Sequence, residues 1–194
     1  MPTAQRPEPP AHLLRRAVEE DAGELLTLQR AAFVSEAQQY GDPLLPPLRE
    51  GADQVRSAVA DRRCTYLVVE ATVDGRHGRA GRLLGSAQLW VDPGPSAGRP
   101  DGPSGASLLA GQVSRVVVVP DLHGSGLGSV LLAALHAAAE ADGRLHRLEL
   151  FTGADSVRNL AFYRRHGYHE AEVRHDDRGV RLQVMHRQLA APTT

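Results

Sequence analysis

The chain has 194 residues, which suits one α/β domain with a well-buried core and is short for two. Its hydrophobic fraction is 42%, and no apolar run approaches the roughly 20 residues that a membrane helix requires, so we expect a soluble protein with no membrane partner. The net charge of -1 provides no basic field of the kind that attracts nucleic acid, so we expect no nucleic-acid partner.

The first residues and the single cysteine indicate the compartment. Residues 1–10 are polar and contain four prolines, so they lack the apolar stretch of a secretory signal and predict a disordered tail on a cytoplasmic protein. Cys64 has no second cysteine with which to form an internal disulfide or a cysteine-based zinc site. We expect it to be a small residue at the edge of a strand, and we predict no metal site.

The first half of the chain predicts one strand, two helices and a hairpin. Leu25, Leu28 and Phe33 recur at helical spacing and give one apolar face. In chain order we predict a strand over 12–18, helices over 22–33 and 52–61 with a proline-rich loop between them, and antiparallel strands over 65–71 and 83–91.

A low-complexity loop follows over residues 92–107. It contains four prolines and four glycines between positions 92 and 105, and such a composition cannot bury enough apolar surface to order itself. Two interpretations stay open: a tolerated surface insertion, or a flexible loop that flanks the acceptor site of an enzyme.

The second half alternates strands and helices and closes with a hairpin. In chain order it predicts a strand over 112–119, a helix over 125–141, a strand over 145–151, a helix over 155–166, and paired strands over 168–174 and 180–189.

The segment between the 112–119 strand and the 125–141 helix has the chemistry of a phosphate cradle. Gly124, Gly126 and Gly128 let the backbone approach a ligand closely, and the first N–H groups of a helix attract an anion. Their spacing does not fit the dinucleotide fingerprint G-x-G-x-x-G. All 22 basic residues are arginines, and the absence of lysine excludes a Walker-type loop and a Schiff-base mechanism.

This loop resembles a known cofactor motif. HGSGLG at 123–128, preceded by a hydrophobic strand that ends in V-x-P, is similar to the acyl-CoA motif of the GNAT superfamily, usually written Q/R-x-x-G-x-G/A. His123 stands at the Gln/Arg position, a departure that implies a weaker, pH-dependent contact. The resemblance implies that backbone N–H groups hold the CoA pyrophosphate and that Val118 offers backbone groups to the pantetheine arm. The implied cofactor contacts in this segment are Val118, Val119, His123, Gly124, Ser125, Gly126, Leu127, Gly128 and Ser129.

A second segment, 148–168, resembles the other half of the GNAT core, with a strand, a loop, a helix and a Gly-Tyr pair. The resemblance implies that Tyr163 lies near the CoA sulfur and protonates the departing thiolate, which a phenol can do at neutral pH. The alternative is a core tyrosine on an amphipathic helix. Ser156 and Asn159 are implied as pantetheine contacts, against the alternative that Asn159 is an exposed polar residue.

The sequence identifies the general base less clearly than the cofactor loop or the general acid. The family takes this base from variable places, and one of them, the strand before the glycine loop, has Gln112, which cannot accept a proton. Glu149 is the only carboxylate of the 145–151 strand and is our candidate. It alternates with Leu148 and Leu150 and so shares a face with Phe151. The alternative is a paired surface carboxylate, with Arg147 as its partner.

Together these resemblances imply a GNAT-like α/β (α+β) fold over residues 11–190, as a single acetyltransferase domain. We expect a mixed, mostly antiparallel twisted sheet of six to seven strands, with helices on both faces and a splayed cofactor cleft. The implied function is direct transfer of the acetyl group of acetyl-CoA to a primary amine of a small molecule or protein. Two alternatives stay open: a non-catalytic acyl-CoA-binding or regulatory module, and a nucleic-acid-binding accessory domain. A homodimer is compatible with the family.

Overall fold

The computed structural model describes residues 11–75, 78–91, 109–176 and 178–190. The predicted N-terminal tail and the predicted flexible loop over 92–107 lie outside these residues. The strands are β1 (His12–Arg16), β2 (Cys64–Ala71), β3 (Leu83–Val91), β4 (Leu109–Val118), β5 (Leu145–Gly153), β6 (His169–His175) and β7 (Arg181–Gln188). The helices are α1 (Ala22–Tyr40), α2 (Pro46–Arg49), α3 (Ala52–Ala60), α4 (Leu127–Asp142) and α5 (Val157–Arg165).

The strands form one seven-stranded sheet in the order β1-β2-β3-β4-β5-β7-β6. The β1/β2, β5/β7 and β6/β7 pairs are antiparallel. The β4/β5 pair is parallel, and it can be so because α4 provides the long crossover that parallel neighbours require. Its ladder runs from the Leu109–Leu145 pair to the Gln112–Glu149 pair. The predicted mixed, mostly antiparallel sheet is confirmed.

Two helices differ from the sequence expectation. Helix α1 continues past residue 33 to Tyr40, because no glycine or proline interrupts it before Gly41, whose left-handed φ of 62° ends it. The proline-rich loop contains the short helix α2, since Pro46 occupies its first position, where the missing N–H costs no hydrogen bond.

The chain divides into two compact units, each with its own packing. Among the described residues, the first comprises 11–75, 78–88 and 115–135, and the second comprises 89–91, 109–114, 136–176 and 178–190. Buried residues of the first unit include Leu25, Leu28, Val68, Val69, Leu84 and Leu131. Buried residues of the second unit include Leu89, Leu145, Leu148, Leu150, Tyr168 and Met185. The assignment of residues 11–190 to a single domain stays a prediction.

Gly111 shows how tightly the second unit is packed. A Cβ atom at this position would lie 2.9 Å from the side chains of Leu89 and Leu148, so β4 can approach them only without a side chain. Within the described ranges, no helix has both the length and the apolar character needed to span a bilayer.

Cys64, the first residue of β2, is buried, and burial raises the pKa of its thiol to about 12. Because the thiolate is the reactive form, we expect the native protein to show no reaction with an aromatic disulfide reagent at pH 8. One equivalent should react after unfolding in guanidinium chloride, measured by absorbance. Rapid reaction of the native protein would contradict the burial.

Candidate functional site

The glycine loop joins β4 to α4 within the first unit. After Val118 the chain makes a short 3₁₀ turn over Pro120–Leu122, and α4 begins at Leu127. Gly124 and Gly126 have φ values of 86° and 97°. A Cβ atom at either glycine would meet no atom within 4 Å, so these positions need glycine for its backbone conformation and not for space.

The loop presents backbone donors that nothing in the described chain uses. Gly124, Gly126, Leu127 and Gly128 donate no hydrogen bond to another described residue through their N–H groups. The last two belong to the first turn of a 16-residue helix, where the helix dipole favours negative charge. Four donors with this placement form a site for an anion such as a diphosphate.

Buried leucines hold the loop on both sides. Leu122 and Leu127 are each fully buried, and the Ser125 N–H donates to the Leu122 carbonyl at 3.1 Å. Their burial fixes the backbone between them, so the donors are arranged before any ligand arrives. The Ser125 Oγ atom is buried and has no hydrogen-bond partner among the described residues, so it adds a side-chain donor at the same loop.

His123 has a role that the sequence did not predict. Its Nε2 atom lies 3.1 Å from the Val118 carbonyl oxygen, so the ring N–H can donate to the end of β4. The imidazole thereby links the two ends of the turn. The carbonyl keeps a second lone pair for another donor, so this bond leaves the predicted pantetheine contact of Val118 possible.

Helix α5 carries three predicted cofactor or catalytic residues of the second unit. Ser156 is buried at the N-cap, and its carbonyl accepts the first intrahelical hydrogen bond from Leu160 at 3.0 Å. Asn159 Nδ2 donates to Thr152 Oγ1 at 3.2 Å, so Asn159 is not simply an exposed polar residue. Tyr163 lies one turn beyond Asn159 and is half-buried on the same face.

The two tyrosines near the end of this segment differ in environment. Tyr168 is only 1% exposed, its hydroxyl lies 3.2 Å from His136 Nε2, and burial raises the pKa of its phenol. Tyr163 packs edge-on against it, with 5.7 Å between the ring centroids. Tyr168 is therefore a core residue, and Tyr163 is the tyrosine that retains access to solvent.

Glu149, the predicted base, lies in a polar group on β5 and β7. Its Oε2 atom is 2.9 Å from His186 Nε2 and 3.5 Å from Arg147 Nη2. The pairing with Arg147 was the alternative considered from the sequence, whereas His186 was missed because it comes from a strand 37 residues away. Leu148 and Leu150 are buried on the opposite face, as the alternation predicted.

A further polar cluster in the first unit was not predicted. It consists of Gln29 of α1, Glu50 after α2, Tyr66 of β2 and Arg115 of β4, and we call it the Arg115 cluster. One signal was available in the sequence, since Arg115 is a charged residue immediately before the four valines 116–119. Nothing in the sequence indicated its partners, which are distant along the chain.

Phosphate-binding α/β domains with a strand, a glycine loop and a helix form several families. Residues 13–168 of this chain match the family model described as the acetyltransferase (GNAT) family. The match covers most of the chain, which therefore belongs to the GNAT acetyltransferase family. Within the described residues, no group of three or more His, Cys, Asp or Glu side chains could hold a metal ion.

A curated relative and two solved structures are similar to this chain. Mycothiol acetyltransferase from Cellulomonas flavigena is 39% identical over 95 residues, which are 49% of this chain but only 26% of that protein. The chain thus matches about a quarter of the relative's length.

The Arabidopsis thaliana NAA60 structure with acetyl-CoA has a TM-score of 0.72 and 11% identity, and the match covers 92% of this chain and 99% of that one. The ribosomal-protein-alanine N-acetyltransferase from Brucella melitensis has a TM-score of 0.62 and 21% identity, with 91% and 99% coverage. At such identities the structures show a shared fold.

The His136 and Tyr168 pair predicts how stability depends on pH. Burial, reinforced by the charges of Arg187 and His166, lowers the pKa of His136 from its usual 6.5 to about 4. Between these two pKa values, His136 is protonated in the unfolded chain but neutral in the folded protein. The contribution of the neutral His136 to stability is therefore fully present above pH 6.5 and is lost as the pH falls toward 4.

We expect the free energy of unfolding to fall by roughly 2 kcal/mol from this source, allowing for partial screening of the ring by water. Urea unfolding measured from pH 7 to 4 should show a shallower decline for His136→Gln than for the wild type. Parallel declines would contradict the assignment.

Proposed function

We propose that the protein is an acetyl-CoA-dependent N-acetyltransferase that transfers the acetyl group directly to a primary amine. The observation that carries this proposal is the set of four backbone N–H groups at residues 124 and 126–128, which donate to no other described residue. A buried or helix-end donor without a partner costs free energy, and a diphosphate would satisfy all four. Membership of an acetyltransferase family selects CoA among the ligands that contain a diphosphate.

The remaining cofactor contacts follow from the loop and helix α5. Val118 and Val119 would bind the pantetheine arm through backbone groups, while Ser125 and Ser129 would add hydroxyl donors beside the diphosphate. On α5, Ser156 and Asn159 would contact the same arm. In the acetyl-CoA complex of the similar Arabidopsis protein, the donor substrate is the one proposed here.

Tyr163 is the proposed general acid. The neutral amine nitrogen attacks the thioester carbonyl carbon, the C–S bond breaks, and the thiolate of CoA takes the phenolic proton of Tyr163. The proton that the acylated nitrogen then loses restores the Tyr163 phenol by way of solvent. A backbone N–H near Val118 stabilises the negative oxygen that forms on the carbonyl. Tyr168 is unsuited to this role, because it is buried and its hydroxyl already lies beside His136.

Glu149 is the proposed general base, which accepts a proton from the acceptor ammonium before attack. Its hydrogen-bond distance to His186 allows the imidazole to orient the carboxylate and to pass the proton on to solvent. Arg147 Nη2 lies 3.5 Å from the same carboxylate oxygen and helps to fix its orientation.

A calorimetric titration tests the cradle. Acetyl-CoA should bind the wild-type protein, and Gly126→Ala should weaken binding by about tenfold or more, because a Cβ atom disfavours the φ of 97° that aligns the amides. Gly143→Ala is the matched control, since Gly143 also has a positive φ, of 67°, and nothing within 4 Å, but lies at the far end of α4. Equal affinity in Gly126→Ala and wild type, or no heat from acetyl-CoA at all, would refute the cradle.

A kinetic comparison tests the acid and the base. With a panel of amines and thiol detection, Tyr163→Phe should lower kcat by about 10²- to 10⁴-fold at unchanged affinity for acetyl-CoA. Glu149→Gln should also lower kcat at unchanged affinity for acetyl-CoA, because a glutamine side chain cannot accept the proton of the amine. Turnover at background level in the wild type, with normal acetyl-CoA binding, would instead support a non-catalytic acyl-CoA-binding module.

The chemical class of the acceptor has to be inferred from the residues of this chain, because its relatives act on different acceptors. The names of the relatives point to mycothiol for one and to an alanine of a ribosomal protein for another, so the family does not select one acceptor.

A further inference from the structure

Arg115, the central residue of the Arg115 cluster, lies on β4, the strand that leads into the glycine loop. Arg115 comes three residues before Val118 on β4, and all members of the cluster belong to the first unit. This position is close along the strand to the backbone groups proposed to hold the thioester. The cluster is therefore suited to act on the acceptor and not on the nucleotide part of the cofactor.

Glu50 is held in place from one side. Gln29 is 1% exposed, and its amide donates to the Pro47 carbonyl and to Glu50 Oε2, each at 2.7 Å. These bonds tie the segment after α2 to α1, so the carboxylate is oriented independently of Arg115. The other carboxylate oxygen, Oε1, accepts a hydrogen bond from Arg115 Nη2. Glu50 thus positions the guanidinium group.

The backbone at Arg115 is strained. Its φ of 52° is the only positive value of a non-glycine residue in the described ranges, and it occurs inside a strand. A left-handed conformation is unfavourable for a residue with a long side chain and persists where the surroundings impose it. Because glycine or asparagine would occupy such a position at lower cost, the arginine side chain itself is the feature that needs an explanation.

The guanidinium group has an unused donor. A guanidinium carries five N–H groups, and the Arg115 Nε atom is buried without a hydrogen-bond partner among the described residues. A purely structural ion pair would gain from satisfying this buried donor. Tyr66 lies in the same cluster, and burial raises the pKa of its phenol to about 12, so it is neutral at physiological pH. The Arg115 Nε–H group is therefore the donor of this cluster that has no acceptor among the described residues.

We propose that Arg115 binds a carboxylate of the acceptor, so that the acceptor is a small amine that also carries a carboxylate, as an amino acid does. The inference rests on the proposed acetyltransferase function. Adjacent N–H groups of a guanidinium match the two oxygens of a carboxylate in a side-by-side pair, whereas a neutral carbonyl would occupy only one of them. Glu50 offsets the arginine charge, which keeps the carboxylate exchangeable.

Matched acceptors test this assignment. Initial rates of CoA release are compared for the standard amino acids and for the same compounds as carboxamides. The rates are corrected for the fraction of neutral amine, because a carboxamide lowers the pKa of the neighbouring amine. The wild type should favour the carboxylate by at least about tenfold in kcat/KM. Arg115→Gln should bring this ratio close to one by raising KM for the amino acid. Arg115→Lys should give an intermediate ratio, because lysine keeps the positive charge but lacks the adjacent N–H groups of a guanidinium.

Two further variants separate binding from structure. Glu50→Gln removes the ion pair but keeps the guanidinium, so the carboxylate preference should persist. Arg56→Gln removes an exposed pair with Asp53 on α3 and should change nothing. If Glu50→Gln and Arg115→Gln lower the rates for acids and carboxamides equally, with matching losses of melting temperature, Arg115 is structural and the proposal is wrong. A wild-type ratio near one would also overturn it.

A binding measurement distinguishes this failure from failure of the enzyme assignment. Amino acids are titrated calorimetrically into the protein saturated with CoA, and into Arg115→Gln treated in the same way. Binding lost in the variant supports the carboxylate site even if no acetyl transfer is detected. If amines that lack a carboxylate are acetylated and no amino acid binds, the acetyltransferase assignment is supported and the carboxylate site at Arg115 is wrong.

Discussion

The proposed cofactor site depends on one arrangement: backbone N–H groups in the glycine loop and at the start of α4 that have no acceptor among the described residues. Gly124 and Gly126 take positive φ values, and the buried residues Leu122 and Leu127 fix the turn on both sides. The unpaired donors are therefore arranged before a ligand binds and lose little entropy on binding. Backbone groups, and not side chains, would make the main contacts with the diphosphate. A histidine can therefore replace the usual glutamine or arginine at position 123, where its ring bonds the Val118 carbonyl instead.

The second unit shows how burial assigns different roles to residues of the same type. Tyr163 and Tyr168 are five residues apart and their rings touch, yet only Tyr168 is fully buried beside His136. Burial raises the pKa of Tyr168 and lowers that of His136, so both side chains are neutral at physiological pH. They stabilise the unit, and the more accessible Tyr163 is left as the proposed acid.

The proposed carboxylate site in the Arg115 cluster would give the enzyme a chemical preference that its fold does not supply. The glycine loop is a backbone device, and it can be kept while the acceptor changes. A charged residue in a strained position within an apolar strand is costly, and that cost is compensated where the residue has a ligand to bind. Gln29 donates to Glu50, and Glu50 accepts from the guanidinium, so α1, the segment after α2 and β4 are joined in one hydrogen-bond network.

Local patterns in the sequence determined the strands, the longer helices and the glycine loop, because hydrophobic alternation and glycine conformation are properties of neighbouring residues. They also separated Glu149 from its buried neighbours Leu148 and Leu150. The length of α1 was underestimated because only Gly41, and not the change in hydrophobicity after Phe33, ends that helix. Only the tertiary structure decided the partners: His186 for Glu149, His136 for Tyr168, and Glu50 for Arg115, each at least 32 residues away. Such contacts are set by strand register and helix packing, which no local pattern encodes.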